Sequence, residues 1–437
     1  MTAVFAPSAM NAQTSGNWID QRETTWGADY ENTSSFTIST AGQLAQLAYM
    51  VNNGNSFENK TITLTDDIDL AGLYWTPIGN DDNDFRGSFE GGNKTISNLT
   101  INTTDQYQGL FGSLNSAFVM NVNLVECNIT AGSITGGIAG HASGTTISNC
   151  SVSGEIHSAG TSSHNYGGIV GTVSGSSYGN LIIVGNTNTA SVSATENGYA
   201  VGGIVGYFGR TTKFRNNFST GVVSGLDHVG TLIGMIDEDD YNEFTNNCYP
   251  ANANLTGAVG SSNTSTGHDI EGASVGFTIT AGEGVTISLP TAVKTYDNVD
   301  YYMSGTVVNT TAFTVPDGNH FTGYAVNSGS ISNAGLMVGS HTLTGATENV
   351  TISGTYAEGE PTDFSELITI TVEDATYNGQ AHLQEPVVTM DNTTLTKNEH
   401  YTVSYIGECI NAGQHTLTVT GIGMYTGSKT ATFNVLP

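Results

Sequence analysis

GGIVG stands at residues 167–171 and again at 202–206. Five such residues admit three readings: a glycine loop around a phosphate, a G-x-x-x-G helix contact, or a corner of a repeated unit. A phosphate loop needs Lys followed by Ser or Thr, then a helix. Neither copy has the lysine, and no helical pattern follows. A membrane helix contact needs apolar flanks, and these flanks are polar. The third reading gains support from related pentads: QGLFG at 108–112, GGIAG at 136–140 and GTLIG at 230–234. Successive pentads start 28, 31, 35 and 28 residues apart. A period of about 20–50 residues marks a solenoid.

A second element recurs between the pentads. It is centred on Asn121 in VMNVNL, Asn149 in ISNCSVSG, Asn217 in FRNNFSTG and Asn247 in FTNNCYPA. In the third repeat it is degenerate, with NTNTASVSA near Asn188 as the nearest match. No repeat carries a ten-residue helical pattern, which excludes helical repeats and leucine-rich horseshoes. Short β-type segments separated by Gly, Asn and Ser predict an all-β fold, a right-handed parallel β-helix. Ile169, Val170, Ile204 and Val205 would stack coil upon coil. The glycines would allow tight corners and positive φ, and asparagines at a repeated corner would form side-chain ladders.

Solenoid ends need covers. STAGQLAQLAYMVNNG, from Ser39, reads as one helix. Ser39 or Thr40 caps it, Leu44, Leu47, Ala48 and Val51 recur at helical spacing, and Asn52-Asn53-Gly54 ends it. Its place in the chain predicts a cap on the first coil. The β-helix is expected over 13–262, with the pattern ending in a polar linker at 259–275. Alternating strands without the glycine repeat then predict two small β-sandwich or β-grasp-like modules, at 276–357 and 366–437.

Composition agrees. Of 437 residues 55 are Gly and 8 are Pro, and only 11% are charged. The net charge of −29 disfavours nucleic acid and anionic membranes as partners. Residues 1–12 read as the tail of a signal peptide, with cleavage expected after Ala12. No stretch of about 20 apolar residues predicts a membrane span. Cys127, Cys150, Cys248 and Cys409 show neither C-x-x-C pairing nor zinc spacing. Cys150 and Cys248 are placed at one repeat position with two coils between them. That is about 14 Å, too far for a disulfide, so small buried thiols are expected.

The pentads, with Gly109-Leu110-Phe111-Gly112 nearest, resemble the GLUG motif of bacterial surface proteins. WTPIG at 75–79 and FRGSFEGGNKTISNLTI at 85–101 resemble the start of such arrays. Over the last 70 or so residues, Tyr377-Asn378-Gly379, HYTVSY at 400–405, Asn411-Ala412-Gly413 and Tyr425-Thr426-Gly427 resemble bacterial adhesin repeats. The resemblance implies a secreted or cell-surface protein, and adhesion.

Candidate chemistry is sparse. No H-E-x-x-H zinc motif occurs. NDDNDF at 80–85 and DEDD at 237–240 could offer oxygens to calcium, but lack the twelve-residue loop spacing. Arg210, Lys213 and Arg215 form a basic triplet in an acidic chain and are the candidate ligand-binding residues, for an acidic sugar. A solvated loop is the plainer reading of the same residues. The expectation is a non-catalytic adhesin, monomeric and without cofactor, binding a glycan or a host or matrix protein. A β-helix polysaccharide lyase or hydrolase, and a purely architectural spacer, are the alternatives.

Overall fold

The computed structural model describes residues 16–160, 164–174, 181–194, 199–209, 212–236, 243–250, 258–262, 265–268, 273–296 and 298–437. The expected signal-peptide remnant at 1–12, with its cleavage site, lies outside them. The chain divides into two compact units, Met1–Gly276 and Phe277–Pro437.

The first unit is the expected parallel β-helix. Successive coils visit the sheets in a fixed order, the middle coils all four of them, as in Thr146–Ser148, Ser151–Ser158, His164–Gly167 and Val170–Ser174. Among the described residues the sheets hold 8, 11, 4 and 7 strands in that order. Neighbouring strands are parallel, except that Val259–Ser262 pairs antiparallel with Ser265–His268. On the fourth sheet Phe111, Ala139, Val170, Val205, Ile233 and Val259 lie in one register. Their spacing reproduces the pentad intervals and adds one more coil, at Val259.

Each pentad is the arc between the third and fourth sheets. Gly167 ends one strand, Gly168 and Ile169 turn, and Val170 begins the next. Ile169, Val170, Ile204 and Val205 are fully buried. The glycines are needed for close approach of backbone to backbone. A Cβ on Gly167 would sit 1.9 Å from the Val170 carbonyl oxygen, and one on Gly206 would sit 2.6 Å from the Tyr166 nitrogen. The expected positive φ is absent from both GGIVG copies. It falls instead on the corner between the first two sheets, at Asn121 (56°), Asn149 (52°), Gly185 (70°), Asn216 (55°) and Asn246 (54°). Asn tolerates the left-handed region better than other side chains do.

The residue after each of these corner positions points inward. At that place stand Val122, Cys150, Asn186, Asn217 and Asn247, all buried. The amide Nδ2 of Asn186 donates to Asn217 Oδ1 at 3.1 Å, and that of Asn217 to Asn247 Oδ1 at 3.1 Å. Each Nδ2 also reaches a backbone carbonyl, of Ile147, Ile183 and Phe214 respectively. Each Oδ1 accepts a backbone N–H, from Cys150, Asn186 and Asn217. The expected ladder thus exists, but in a different register. Asn121 and Asn149 belong to the left-handed column, and Asn217 and Asn247 to the interior one. The third repeat is not degenerate: its Gly185-Asn186 supplies both positions. Cys248 pairs with Phe218 and so lies one place past Asn247, out of register with Cys150. All four cysteines are buried thiols.

The helix is Ala41–Asn52, with Thr40 as its N-cap accepting from the Gln43 N–H. Gln43 Oε1 in turn accepts from the Ser39 N–H at 2.9 Å. The helix runs between Ser35–Ile38 and Thr61–Leu64, adjacent strands at one end of the first sheet, and so takes the place of the other three strands of that coil. Leu44, Leu47, Ala48 and Val51 are fully buried in the same core as Phe36, Ile62 and Phe89. At the other end the described residues of the expected linker at 259–275 are in strands. They form Val259–Ser262, Ser265–His268 and the start of Ala273–Gly276, which pairs with Asn247–Pro250. The solenoid unit therefore runs to Gly276 rather than 262.

The second unit contains two sets of short sheets. In the first, Ile279–Ala281, Val350–Glu358 and Asn319–Val326 form one sheet, and Val285–Ser288, Val307–Phe313, Gly339–Thr344 and Ser330–Ile331 another. In the second, Ala375–Thr376, Ser428–Leu436, Gly413–Gly421 and Tyr401–Tyr405 form a sheet over a core of Phe364, Leu417, Val419 and Phe433.

Candidate functional site

Of the basic triplet, two residues lie among the described ones. Arg210 lies outside them. Lys213 and Arg215 flank buried Phe214 on the first-sheet strand Thr212–Arg215, so both face outward and are half-buried. Lys213 stands in register between Ile182 and Glu243, and Arg215 between Val184 and Thr245.

A cleft of about 680 Å³ opens near the helix end of the solenoid instead. Its wall includes Tyr74, Trp75 and Thr76 from WTPIG and its flank, Asn80 and Asp81 from NDDNDF, Asn102 from the strand Thr100–Asn102, and Asp105 and Tyr107 from the loop after it. Trp75 is buried, and its indole N–H donates to the Leu110 carbonyl at 3.1 Å, so it forms wall rather than platform. Tyr107 is half-buried. Its hydroxyl is pushed up from the ordinary value by burial first, then by the charge of Asp81 and a hydrogen bond to it. The NDDNDF turn is tied internally, Asn80 Oδ1 accepting from the N–H groups of Asp82 and Asn83. Asp84 accepts from Ser113 Oγ at 2.7 Å and Asn115 Nδ2 at 3.0 Å. No group of three or more His, Cys, Asp or Glu fit for a metal occurs among the described residues. DEDD at 237–240 lies outside them.

From Tyr107 a strip of aromatic and imidazole side chains runs along the coils. Tyr107 meets His141 edge-on at 6.1 Å between ring centroids. Burial pushes the His141 imidazole below its ordinary value, while Asp84 and Asp81 pull it back up. His141 Nε2 bonds Ser174 Oγ at 3.0 Å. On the third sheet His164, Tyr199 and Asp227 share a register. Tyr199 stacks edge-on against His164 at 5.8 Å and His228 at 4.3 Å. On the fourth, His141, Thr172, Tyr207 and Met235 share another. The Tyr199 hydroxyl donates to Met235 Sδ at 3.0 Å, and Asn165 Nδ2 to Thr172 Oγ1 at 3.0 Å. These bonds tie the two columns across the glycine arc into one surface.

No protein-family model matches the chain. Over 120 residues, 24% of the chain, it is 35% identical to halomucin of Haloquadratum walsbyi, of which it spans 1%. Over 132 residues, 29% of the chain, it is 33% identical to a protein of Evansella cellulosilytica named as a Gly-rich membrane protein, of which it spans 15%. The chain therefore spans a small part of the curated relatives it matches. A solved structure from Bacteroides ovatus, assigned as an immunoglobulin A1 protease, shares 18% identity at a TM-score of 0.40, covering 61% of this chain and 82% of that one. No helix among the described residues is long and apolar enough to cross a membrane.

Sequence reasoning missed both the cleft and the strip. The strip carried a readable signal: His141, Thr172, Tyr207 and Met235 each follow the last glycine of a pentad. The cleft was visible only in pieces: WTPIG and NDDNDF, both singled out in the sequence, lie on its wall, but Asn17, Asn52 and the stretch around Tyr107 share no motif with them.

Proposed function

We propose that the protein is displayed outside the cell, secreted or surface-held, as a non-catalytic adhesin of the GLUG type. It binds a glycan or a host or matrix protein through the side of its solenoid. The observation that carries this reading is the strip from Tyr107 to Met235. Edge-on aromatic and imidazole rings on successive coils, held by side-chain bonds, offer a pre-organised face at low entropic cost. The net charge of −29 fits a soluble protein in a salty medium. The partial likeness to halomucin and to the Gly-rich membrane protein supports the same setting.

The test is an array of glycans and matrix proteins probed with the full chain at micromolar concentration. Binding is expected, and Tyr199→Ala should weaken it at least fivefold. A blank array sinks the reading. Lys213→Ala with Arg215→Ala should weaken only acidic glycans on the array.

A second reading has one observation behind it. Asp81 and Asp105 both line the cleft, and paired carboxylates are the machinery of glycoside hydrolysis. New reducing ends from pectin, glycosaminoglycan or mucin glycans, lost in Asp81→Asn, would favour hydrolysis over adhesion.

A further inference from the structure

We infer that the cleft bounded by Tyr74, Asp81, Asp105 and Tyr107 is a carbohydrate subsite that selects against acidic sugars and favours amine-bearing ones. The inference deepens the proposed glycan binding and rests on that reading. It also differs in sign from the basic triplet, whose charge suits an acidic sugar.

Three observations converge. First, the cleft's size falls in the range of about 300–1,000 Å³ that holds ordinary small ligands. Second, its charged lining is of one sign. Asp81 and Asp105 belong to the lining, and no Lys, Arg or His does. Low-dielectric walls focus such a field onto the ligand. A uronate or sulfated sugar would meet like charge, whereas a glucosamine ammonium would meet two carboxylates. Third, the rest of the lining is largely neutral and polar: Thr76, Asn80, Asn102, Thr103 and Gln106 bring hydrogen-bonding groups suited to sugar hydroxyls.

The two tyrosines supply what charge does not. Tyr74 and Tyr107 are half-buried, so each keeps ring surface within the cleft. Sugar C–H faces pack on such rings, and the phenol oxygens remain available for hydrogen bonds. The edge-on contact with His141 holds the Tyr107 ring in place.

The experiment is calorimetric titration of the full chain at low salt with three hexamers: glucosamine, N-acetylglucosamine and galacturonate. The expected order of affinity is glucosamine, then N-acetylglucosamine, then galacturonate, with at least tenfold between first and last. Added salt at 0.5 M should narrow that gap. Asp81→Asn with Asp105→Asn should remove at least fivefold of the preference for glucosamine over N-acetylglucosamine. Tyr107→Ala should weaken both by at least tenfold, and Tyr107→Phe by less. Galacturonate binding as tightly as glucosamine, or an order unchanged in the double variant, overturns the inference. If no hexamer binds but the glycan array is positive, the cleft assignment fails and the adhesin reading stands. A blank array with no hexamer bound sinks both.

Discussion

Gly167 and Gly202 face backbone, not solvent. An added Cβ would lie 1.9 Å and 2.0 Å from the carbonyl oxygens of Val170 and Val205. No rotamer can relieve a contact with backbone, so Gly167→Ala should cost about 3 kcal/mol or more. Gly72 has nothing within 4 Å of its Cβ site but a φ of +90°, so Gly72→Ala should cost only about 1–2 kcal/mol. Urea midpoints of the two variants separate close packing from backbone strain; equal losses would refute the distinction. Asn217 is the second sensitive residue. Asn217→Ala would strip partners from the Asn186 N–H, the Ile183 carbonyl and Asn247 Oδ1 at once. The expected loss is about 3 kcal/mol or more. A loss below about 1 kcal/mol would mean that water replaces the ladder.

At the scale of elements, the helix Ala41–Asn52 is both a secondary structure and a lid. Thr40→Ala should remove about 1 kcal/mol through the lost cap. Leu47→Ala should remove about 2–5 kcal/mol through the cavity beneath the helix. Leu47→Asp should also expose the coil end, and light scattering should then report self-association. A monomeric, fully stable Leu47→Asp would show that the helix covers nothing of consequence. These elements were legible in the sequence because each has a local signature: a cap, a 3.6-residue apolar period, a pentad at a fixed interval. Register was less legible. In Asn216-Asn217 and Asn246-Asn247 the two asparagines do different jobs, one turning the chain and one bonding inside. The doublet alone does not say which is which, and Cys150 and Val122 hide the inner column in earlier coils. The polar stretch after Val259 was misread because its side chains lack apolar alternation, while its backbone still continues the ladder. The cleft was legible only in pieces because Tyr74, Asp81 and Tyr107 meet only once the coils stack.

For the molecule as a whole, alkaline pH is a probe of the packed interior. Burial pushes the Cys127 and Cys150 thiols up to about 12 from an ordinary value of 9.0. Between those values the unfolded chain has lost these protons and the folded chain keeps them. Stability is therefore full below about pH 9 and falls as pH rises, by about 1.4 kcal/mol per pH unit for each thiol. Tyr324 and Tyr401, also raised by burial, add to the slope. Urea midpoints from pH 8 to 11 should decline in the wild type and less steeply in Cys127→Ala with Cys150→Ala. Identical profiles would place the alkaline sensitivity elsewhere. At pH 8 both thiols should react with a thiol reagent only as fast as the unit opens.

The fixed order in which successive coils visit the sheets has a consequence for how the solenoid is made. A strand in one coil pairs with strands about 28 to 35 residues before and after it in the chain. Once the helix and the first strands are in place, each later coil can be laid on a finished template as its residues emerge. Assembly can then proceed vectorially, from the amino-terminal side onward, with little need to wait for distant sequence. For a chain passing through a narrow exit, such growth leaves only one coil's edge exposed at a time.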